Sequence, residues 1–190
     1  MDASEIKQLR ARWTTHLAAE GEAALAGAGE PPFPQLADGF IDLRGLEIGQ
    51  MIKNAKIQSV DLTGATLVRF GQFAMCNVEN TRFPFASMET NIGASFKDCD
   101  FTSAKLLRAL FRGSFVNCDF SKANLSSAKG SQVKFVNCVF HKTNFMKAML
   151  LQCTFEDCRF EDCKFGRTSF GYSKFVRSPI PEDDLGDTLL

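Results

Sequence analysis

From Phe115 to Phe175, every fifth residue is Phe or Leu, with one exception. The series reads Phe115, Phe120, Leu125, Gly130, Phe135, Phe140, Phe145, Leu150, Phe155, Phe160, Phe165, Phe170 and Phe175, and Gly130 is the exception. Upstream the same spacing recurs in shorter runs. Phe96, Phe101, Leu106 and Phe111 form one phase, Phe73, Val78, Phe83 and Met88 a second, and Ile52, Ile57, Leu62 and Leu67 a third, with Leu43 and Ile48 as candidate first members. The first two phases do not join, because five residues before Phe96 stands polar Asn91, and Ile92 falls out of step. A helix repeats at 3.6 residues and a strand at 2, so a period of five fits neither as a long uninterrupted element. It suits a chain that turns a corner after each short extended segment. Four such segments make a square coil of about twenty residues, and stacked coils rise by one strand spacing, about 4.8 Å. The expectation is an all-β solenoid of about seven coils, in which each coil buries its inward side chains against its neighbours.

A second slot lies two residues before each centre. It holds small residues such as Ala65, Ala86, Ala104, Ala123, Ala148, Thr81, Thr143 and Thr168, and all seven cysteines: Cys76, Cys99, Cys118, Cys138, Cys153, Cys158 and Cys163. The pattern accounts for an odd composition. The chain has 19 Phe but one Tyr and one Trp, and 15 of the Phe occupy centres. A buried ring column has no place for a hydroxyl or an indole N–H that needs a partner. At 45% apolar the 190-residue chain is not of disordered composition. It has no run of 18 apolar residues, so no membrane span is expected. The polar start, Met1-Asp2-Ala3-Ser4-Glu5, does not read as a signal peptide. Reduced thiols and a cytoplasmic location are therefore expected.

Blocks such as Asp61-Leu62-Thr63-Gly64-Ala65, Cys118-Asp119-Phe120-Ser121-Lys122 and Ala123-Asn124-Leu125-Ser126-Ser127 resemble the pentapeptide-repeat family, whose consensus is Ala-(Asp/Asn)-Leu-X-X. The resemblance spans about residues 41–175 and implies a right-handed quadrilateral β-helix. The Phe-Lys-Asp-Cys, Phe-Val-Asn-Cys and Phe-Glu-Asp-Cys blocks starting at 96, 115, 135 and 155 are similar to its cysteine-rich quinolone-resistance branch. Members of that branch look like duplex DNA in width and charge, bind DNA gyrase or topoisomerase IV, and dimerise through their C-terminal ends. A left-handed β-helix of hexapeptides would need a period of six, and none is sustained.

The ends break the period. Residues 1–40 read as a helical N-terminal cap followed by a Gly/Pro connector. Asp2 and Glu5 have capping-box spacing, and Ile6, Leu9, Trp13 and Leu17 share a helical face. Gly21 is expected to interrupt this helix, with Glu22–Leu25 adding a turn, and Trp13 to anchor the cap on the first coil. Residues 176–190 read as a C-terminal cap or a dimerisation tail, with Ile180, Leu185, Leu189 and Leu190 as candidate contacts in a homodimer.

The cysteine spacing does not suggest a metal site, since Cys153, Cys158 and Cys163 fall on successive sides of a coil rather than in a close clip. Cys118, Cys138 and Cys158 should stack in one column. Cys99 joins it if the slip between Phe111 and Phe115 shortens one coil by a residue, and Cys76 joins if Met88 to Asn91 occupies one side. The thiols read as small core fillers. No catalytic, cofactor or metal residues are assigned. His141 reads as a solvated outer residue, and Asp157, Glu161 and Asp162, interleaved with Arg159, Lys164 and Arg167, as a salt-paired face. No nucleophile setting, phosphate loop or pocket is visible, so an enzyme is not expected.

Charge separates along the chain. Residues 1–40 carry 3 basic and 6 acidic groups, residues 41–175 carry 18 and 12, and residues 176–190 carry 1 and 4. The stretch 101–150 holds eight basic residues and only Asp119 acidic. A DNA mimic must offer carboxylates to a basic groove, and this barrel has the opposite sign overall. Direct nucleic-acid binding lacks outer aromatics between the basic residues. Leu107, Leu110, Met146, Met149 and Leu151 take outward slots on two adjacent sides, rimmed by Lys105, Arg108, Lys129 and Lys147. Such a patch suits a protein partner with an acidic rim. The expected role is a rigid non-catalytic protein-binding scaffold; the alternative is a DNA mimic that protects or inhibits gyrase or topoisomerase IV.

Overall fold

The computed structural model describes residues 1–27, 33–68 and 70–180. Two helices, α1 (Ala3–Ala11) and α2 (Thr15–Leu25), precede a β-solenoid of short strands, all parallel wherever two strands pair. The coil has four sides, and each side stacks its centres in a column. The first column is Leu43, Leu62, Phe83, Phe101, Phe120, Phe140 and Phe160. The second is Ile48, Leu67, Met88, Leu106, Leu125, Phe145 and Phe165. The third is Ile52, Phe73, Ile92, Phe111, Gly130, Leu150 and Phe170. The fourth is Ile57, Val78, Phe96, Phe115, Phe135, Phe155 and Phe175. The result is a right-handed quadrilateral β-helix of about seven coils.

The backbone explains the number five. Two residues after nearly every centre the chain adopts positive φ, as at Asn117 (54°), Lys122 (59°), Gln132 (59°) and Asn137 (50°). Each such residue turns the corner to the next side. The left-handed conformation costs a non-glycine residue roughly 1–2 kcal/mol, least for Asn and Asp. Asn and Asp are accordingly frequent there, and they gain bonds along the rod: the Asn137 amide donates to Asn117 Oδ1 at 3.0 Å, and the Asn117 amide to Asp98 Oδ1 at 2.7 Å.

The rings justify the Phe bias. Along the first side Phe83, Phe101, Phe120, Phe140 and Phe160 stack near-parallel, with centroids 4.8–5.2 Å apart. Between columns the contacts are edge-on, as for Phe101 and Phe115 at 6.0 Å and 70°. Both geometries suit the ring quadrupole and contribute about 0.5–1.5 kcal/mol per pair beyond burial. A Tyr hydroxyl here would be buried in a column of ring edges without a partner.

Three coils are shorter than twenty residues: Leu43 to Leu62 and Phe101 to Phe120 each span 19, and Phe83 to Phe101 spans 18. Ile92 is a buried centre, four residues from both Met88 and Phe96, and Phe111 stands four before Phe115. On these sides Ile92, Ala94 and Phe96 point inward at every second residue, the alternation of an ordinary strand. The strands Gln72–Glu79, Asn91–Lys97 and Leu110–Val116 therefore run across the third and fourth sides. Gly113 replaces a corner residue at φ 97°, with its Cα pressed against the Ala94 backbone. Gly130, the exception in the Phe/Leu series, lies in the third column between Phe111 and Leu150, where a Cβ would come within 3.0 Å of the Leu150 side chain.

The cap differs from expectation at one point. Gly21 does not interrupt the helix. The break comes earlier, at Arg12–Thr14, because Thr14 accepts from the Leu17 N–H and starts α2 as a new N-cap. Gly21 lies inside α2 where the helix meets the barrel, and a Cβ there would lie 3.0 Å from Leu46 Cδ1. The capping box at Asp2 and Glu5 is present. Trp13 lies in the link, donates Nε1–H to the Arg44 carbonyl at 2.8 Å and packs on Phe33. Helix α1 crosses Gly45 (φ 76°), where any Cβ would lie 2.5 Å from the Leu9 backbone. Leu25 is buried with Leu43, Leu46 and Ile48, so α2 closes the first coil.

Candidate protein-binding surface

The seven thiols are buried and unpaired. Register places Cys99, Cys118, Cys138 and Cys158 in one column, continued by Ser178, whose hydroxyl accepts from the Cys158 N–H. Cys99 joins because the coil between Asp100 and Asp119 is one residue short. Cys76 does not join. Ile92 is an additional centre between Met88 and Phe96, so Cys76, two before the fourth-side centre Val78, falls in the neighbouring column beside Ala55 and Ala94. Each thiol meets carbonyls: Cys138 Sγ donates to Phe115 O and Val136 O, both at 3.4 Å. Thr143 and Thr168 reach the equivalent centre carbonyls, Phe120 O at 2.8 Å and Phe145 O at 2.7 Å. The slot thus favours a small side chain with a donor. Burial pushes the Cys153 thiol up to about 11. Hydrogen bonding from Cys138 and Cys99, with burial, pushes Cys118 up as well. These are protonated packing groups at neutral pH. No group of three or more His, Cys, Asp or Glu among the described residues is placed to hold a metal ion.

The carboxylates lie mostly on the first and fourth sides, and much of their charge is spent within the rod. Asp100 and Asp119 accept from the N–H two residues on, at Thr102 and Ser121. Glu79 and Asp98 meet Lys97. Glu156 meets Lys134 and Arg177, and Asp157 meets Arg177. The partners of this acidic cluster are thus groups one coil away, while Arg159 and Lys164, expected from sequence to pair with it, form no ion pair among the described residues. His141, half-buried rather than fully solvated, faces Glu161 at 3.5 Å.

The second and third sides are different. Beyond Glu89 neither carries a carboxylate among the described residues, and the third side has none along its whole length. Lys105, Arg108, Arg112, Lys129, Lys147 and Lys164 stand there, and none of them forms an ion pair among the described residues. The nine patch residues expected from sequence all map to these two sides. Met146 and Met149 are 40% and 46% exposed; Leu107, Leu110 and Leu151 are half-buried; the four cations are exposed. They do not form a continuous apolar field. Along the third side the order is Leu110, Lys129, Met149, and along the second it is Leu107, Ser126, Met146.

The same two sides hold four exposed apolar residues that the sequence reading missed. Met51 lies on the third side, Met75 and Tyr172 on its corner, and Phe70 before it; Phe70 and Tyr172 are 78% and 90% exposed. For Met75 and Tyr172 the available signal was a large apolar group in a corner slot filled mostly by Asn, Asp, Ser, Gln, Lys or Arg. Of the tail contacts, Ile180 packs partly buried against the core, while Leu185, Leu189 and Leu190 lie outside the described residues. A cleft of about 390 Å³ separates the helices from the first coil, lined by Arg10, Trp13, Glu22, Glu47 and Thr66 among others. Its buried Glu22 is already bonded to the Gly49 and Gln50 backbone and the Gln50 amide. Among the described residues no helix is long and apolar enough to cross a membrane.

Known proteins agree with this architecture. Residues 131–162 match the model of the pentapeptide-repeat family in eight copies. No curated protein matches by sequence. A trypsin-treated variant of QnrB1, described as a plasmid-mediated fluoroquinolone resistance protein, aligns with a TM-score of 0.55 at 16% identity, over 65% of this chain and 74% of its own. The pentapeptide-repeat protein Rfr23 from the cyanobacterium Cyanothece 51142 aligns at 11% identity over 73% of this chain and 90% of its own, with a TM-score of 0.44. The family match falls within the stretch from Phe115 to Phe175, where centres recur every fifth residue without a slip, and in this the chain is similar to the pentapeptide-repeat proteins.

Proposed function

We propose that this chain is a rigid, non-catalytic rod that binds a protein through its second and third sides. The observation that carries the reading is the segregation of the surface. Carboxylates lie on the first and fourth sides, with most ion-paired or bonded to backbone N–H groups. Exposed Met, Phe and Tyr side chains, half-buried Leu side chains, and cations that find no ion pair among the described residues and, beyond Glu89, no carboxylate on their own sides lie on the other two. Of the exposed large apolar side chains on the described coils only Val176, on the fourth side, lies elsewhere, a bias that random exposure would not give. Buried thiols and the absence of a nucleophile beside a base among the described residues favour binding over chemistry. Seven free thiols also suit a reducing compartment, for which we propose the cytosol.

Affinity capture with the intact chain, followed by sizing of the purified complex, tests this reading. A defined complex with one protein is expected. Gyrase supercoiling in the presence of a quinolone should be unaffected by the chain, because the acidic groups that a DNA mimic would present are largely spent within the rod. Protection of gyrase at low stoichiometry would replace the scaffold reading with the gyrase-directed one.

A further inference from the structure

We infer that the occupant of these sides is an acidic amphipathic helix of the partner, lying along the rod axis. The inference rests on the protein-binding reading above and specifies its ligand. Register fixes the spacing. Leu110, Lys129 and Met149 follow one another on successive coils of the third side, and Leu107, Ser126 and Met146 do so on the second. Each step is one strand spacing, about 4.8 Å. One helical turn rises about 5.4 Å, so residues i and i+7 lie about 10.5 Å apart. Leu110 and Met149, two coils apart, are about 9.6 Å apart. Apolar groups at i and i+7 can therefore meet both, with an acidic group at i+3 or i+4 over Lys129.

Charge supplies the rest of the match. Lys105 and Arg112 stand outside the two columns, one on each edge, and Arg108 and Lys147 stand on the corner between them, so acidic groups of the helix find cations on either side of each column. A carboxylate-free face leaves nothing to repel them. This is recognition of an amphipathic helix, with apolar anchors giving affinity and charge fixing register and orientation. An anionic membrane is the poorer fit: a bilayer favours a continuous apolar edge, whereas Lys129 and Ser126 interrupt both columns.

The experiment selects binders to the intact chain from a displayed library of helical peptides randomised among Glu, Lys, Leu, Ile and Ser. The expected pool is acidic and carries apolar residues seven apart with Glu between them. Its binding should weaken about tenfold or more for Lys129→Glu and for Met149→Asp. It should stay unchanged for Lys174→Glu on the fourth side. All three positions are exposed, and unchanged circular dichroism will confirm folding. A pool that is neutral or basic, or that binds all variants alike, would overturn the inference. So would phosphatidylserine vesicles that bind this face while the peptides fail to compete. If a captured protein partner binds the Lys129→Glu and Met149→Asp variants as well as the native chain, this inference fails while the scaffold reading survives. If the chain captures no protein, the scaffold reading itself fails.

Discussion

The thiol of Cys138 donates to the carbonyl oxygen of Phe115, which lies 23 residues earlier and one coil down, at 3.4 Å. Ser178 repeats this bond two coils up the same column, from its hydroxyl to Phe155 O at 3.1 Å. The small slot therefore asks for size first and a donor second. Cys138→Ser should keep stability within about 1 kcal/mol of the native chain. Cys138→Ala should cost about 1 kcal/mol, since Ala fills the same slot elsewhere without a donor. Cys138→Leu should cost about 3 kcal/mol by overpacking. Urea denaturation measures all three. In the folded chain none of the seven thiols should react promptly with a thiol reagent at pH 7, and all should react in denaturant.

Two glycines separate steric from backbone effects. Gly113 has φ 97° and abuts the Ala94 carbonyl, so Gly113→Ala combines a forbidden conformation with a clash against backbone. It should cost about 3 kcal/mol. At Gly130 the nearest atoms belong to the Leu150 and Val133 side chains, at 3.0 and 3.1 Å, which can shift. Reduced freedom of the unfolded chain offsets part of the strain, and Gly130→Ala should change stability by less than about 1 kcal/mol. Equal costs would contradict the column assignment.

Corner residues carry a conformational penalty that a β-branched side chain magnifies. Asn117→Val should destabilise by about 2 kcal/mol, because it places a branched residue at φ 54° and removes the amide bonds to Asp98 and Asn137. Val at Ser114, a half-buried extended position of the same side whose hydroxyl bonds only Ser95, should cost less than about 1 kcal/mol. A thermal melt of each variant suffices.

The cap has a pH signature. Burial raises the Asp42 carboxyl, but hydrogen bonds from the Arg44 and Arg12 guanidinium groups outweigh it and hold the group well below the usual carboxylate range. A depressed folded value means the stabilisation is complete above the unfolded value, near 3.9, and is lost as pH falls toward the folded value. Asp42→Asn should therefore lower the melting temperature at pH 7, and its deficit should shrink below about pH 4. A deficit independent of pH would show that Asp42 acts only by shape.

Much of this fold was legible in the chain. The centres, the small slot and the start of the barrel near Ile41 follow from counting by five, since the corner residue imposes that count. Counting failed where a corner is missing. Ile92 looked out of phase because Ile92, Ala94 and Phe96 keep the two-residue alternation of a strand. The same additional centre at Ile92 set Cys76 one column away from Cys99. The break before α2 was hidden because Thr14 as a cap overrides the weak signal of Gly21. Leu110 and Met149 were recognisable as outward neighbours. Their separation by Lys129, and the lack of carboxylates along a whole side, needed the register of seven coils.

The central claim is that the second and third sides form the binding surface. The most direct measurement places a photo-crosslinking amino acid at Ser131 on the third side or at Asn137 on the corner after the fourth, both exposed, and irradiates each protein in its cell extract. The account predicts a discrete crosslinked partner from position 131, absent when Met149 is replaced by Asp, and none from position 137. Crosslinking to a partner from 137 alone, or equally from both, would contradict it.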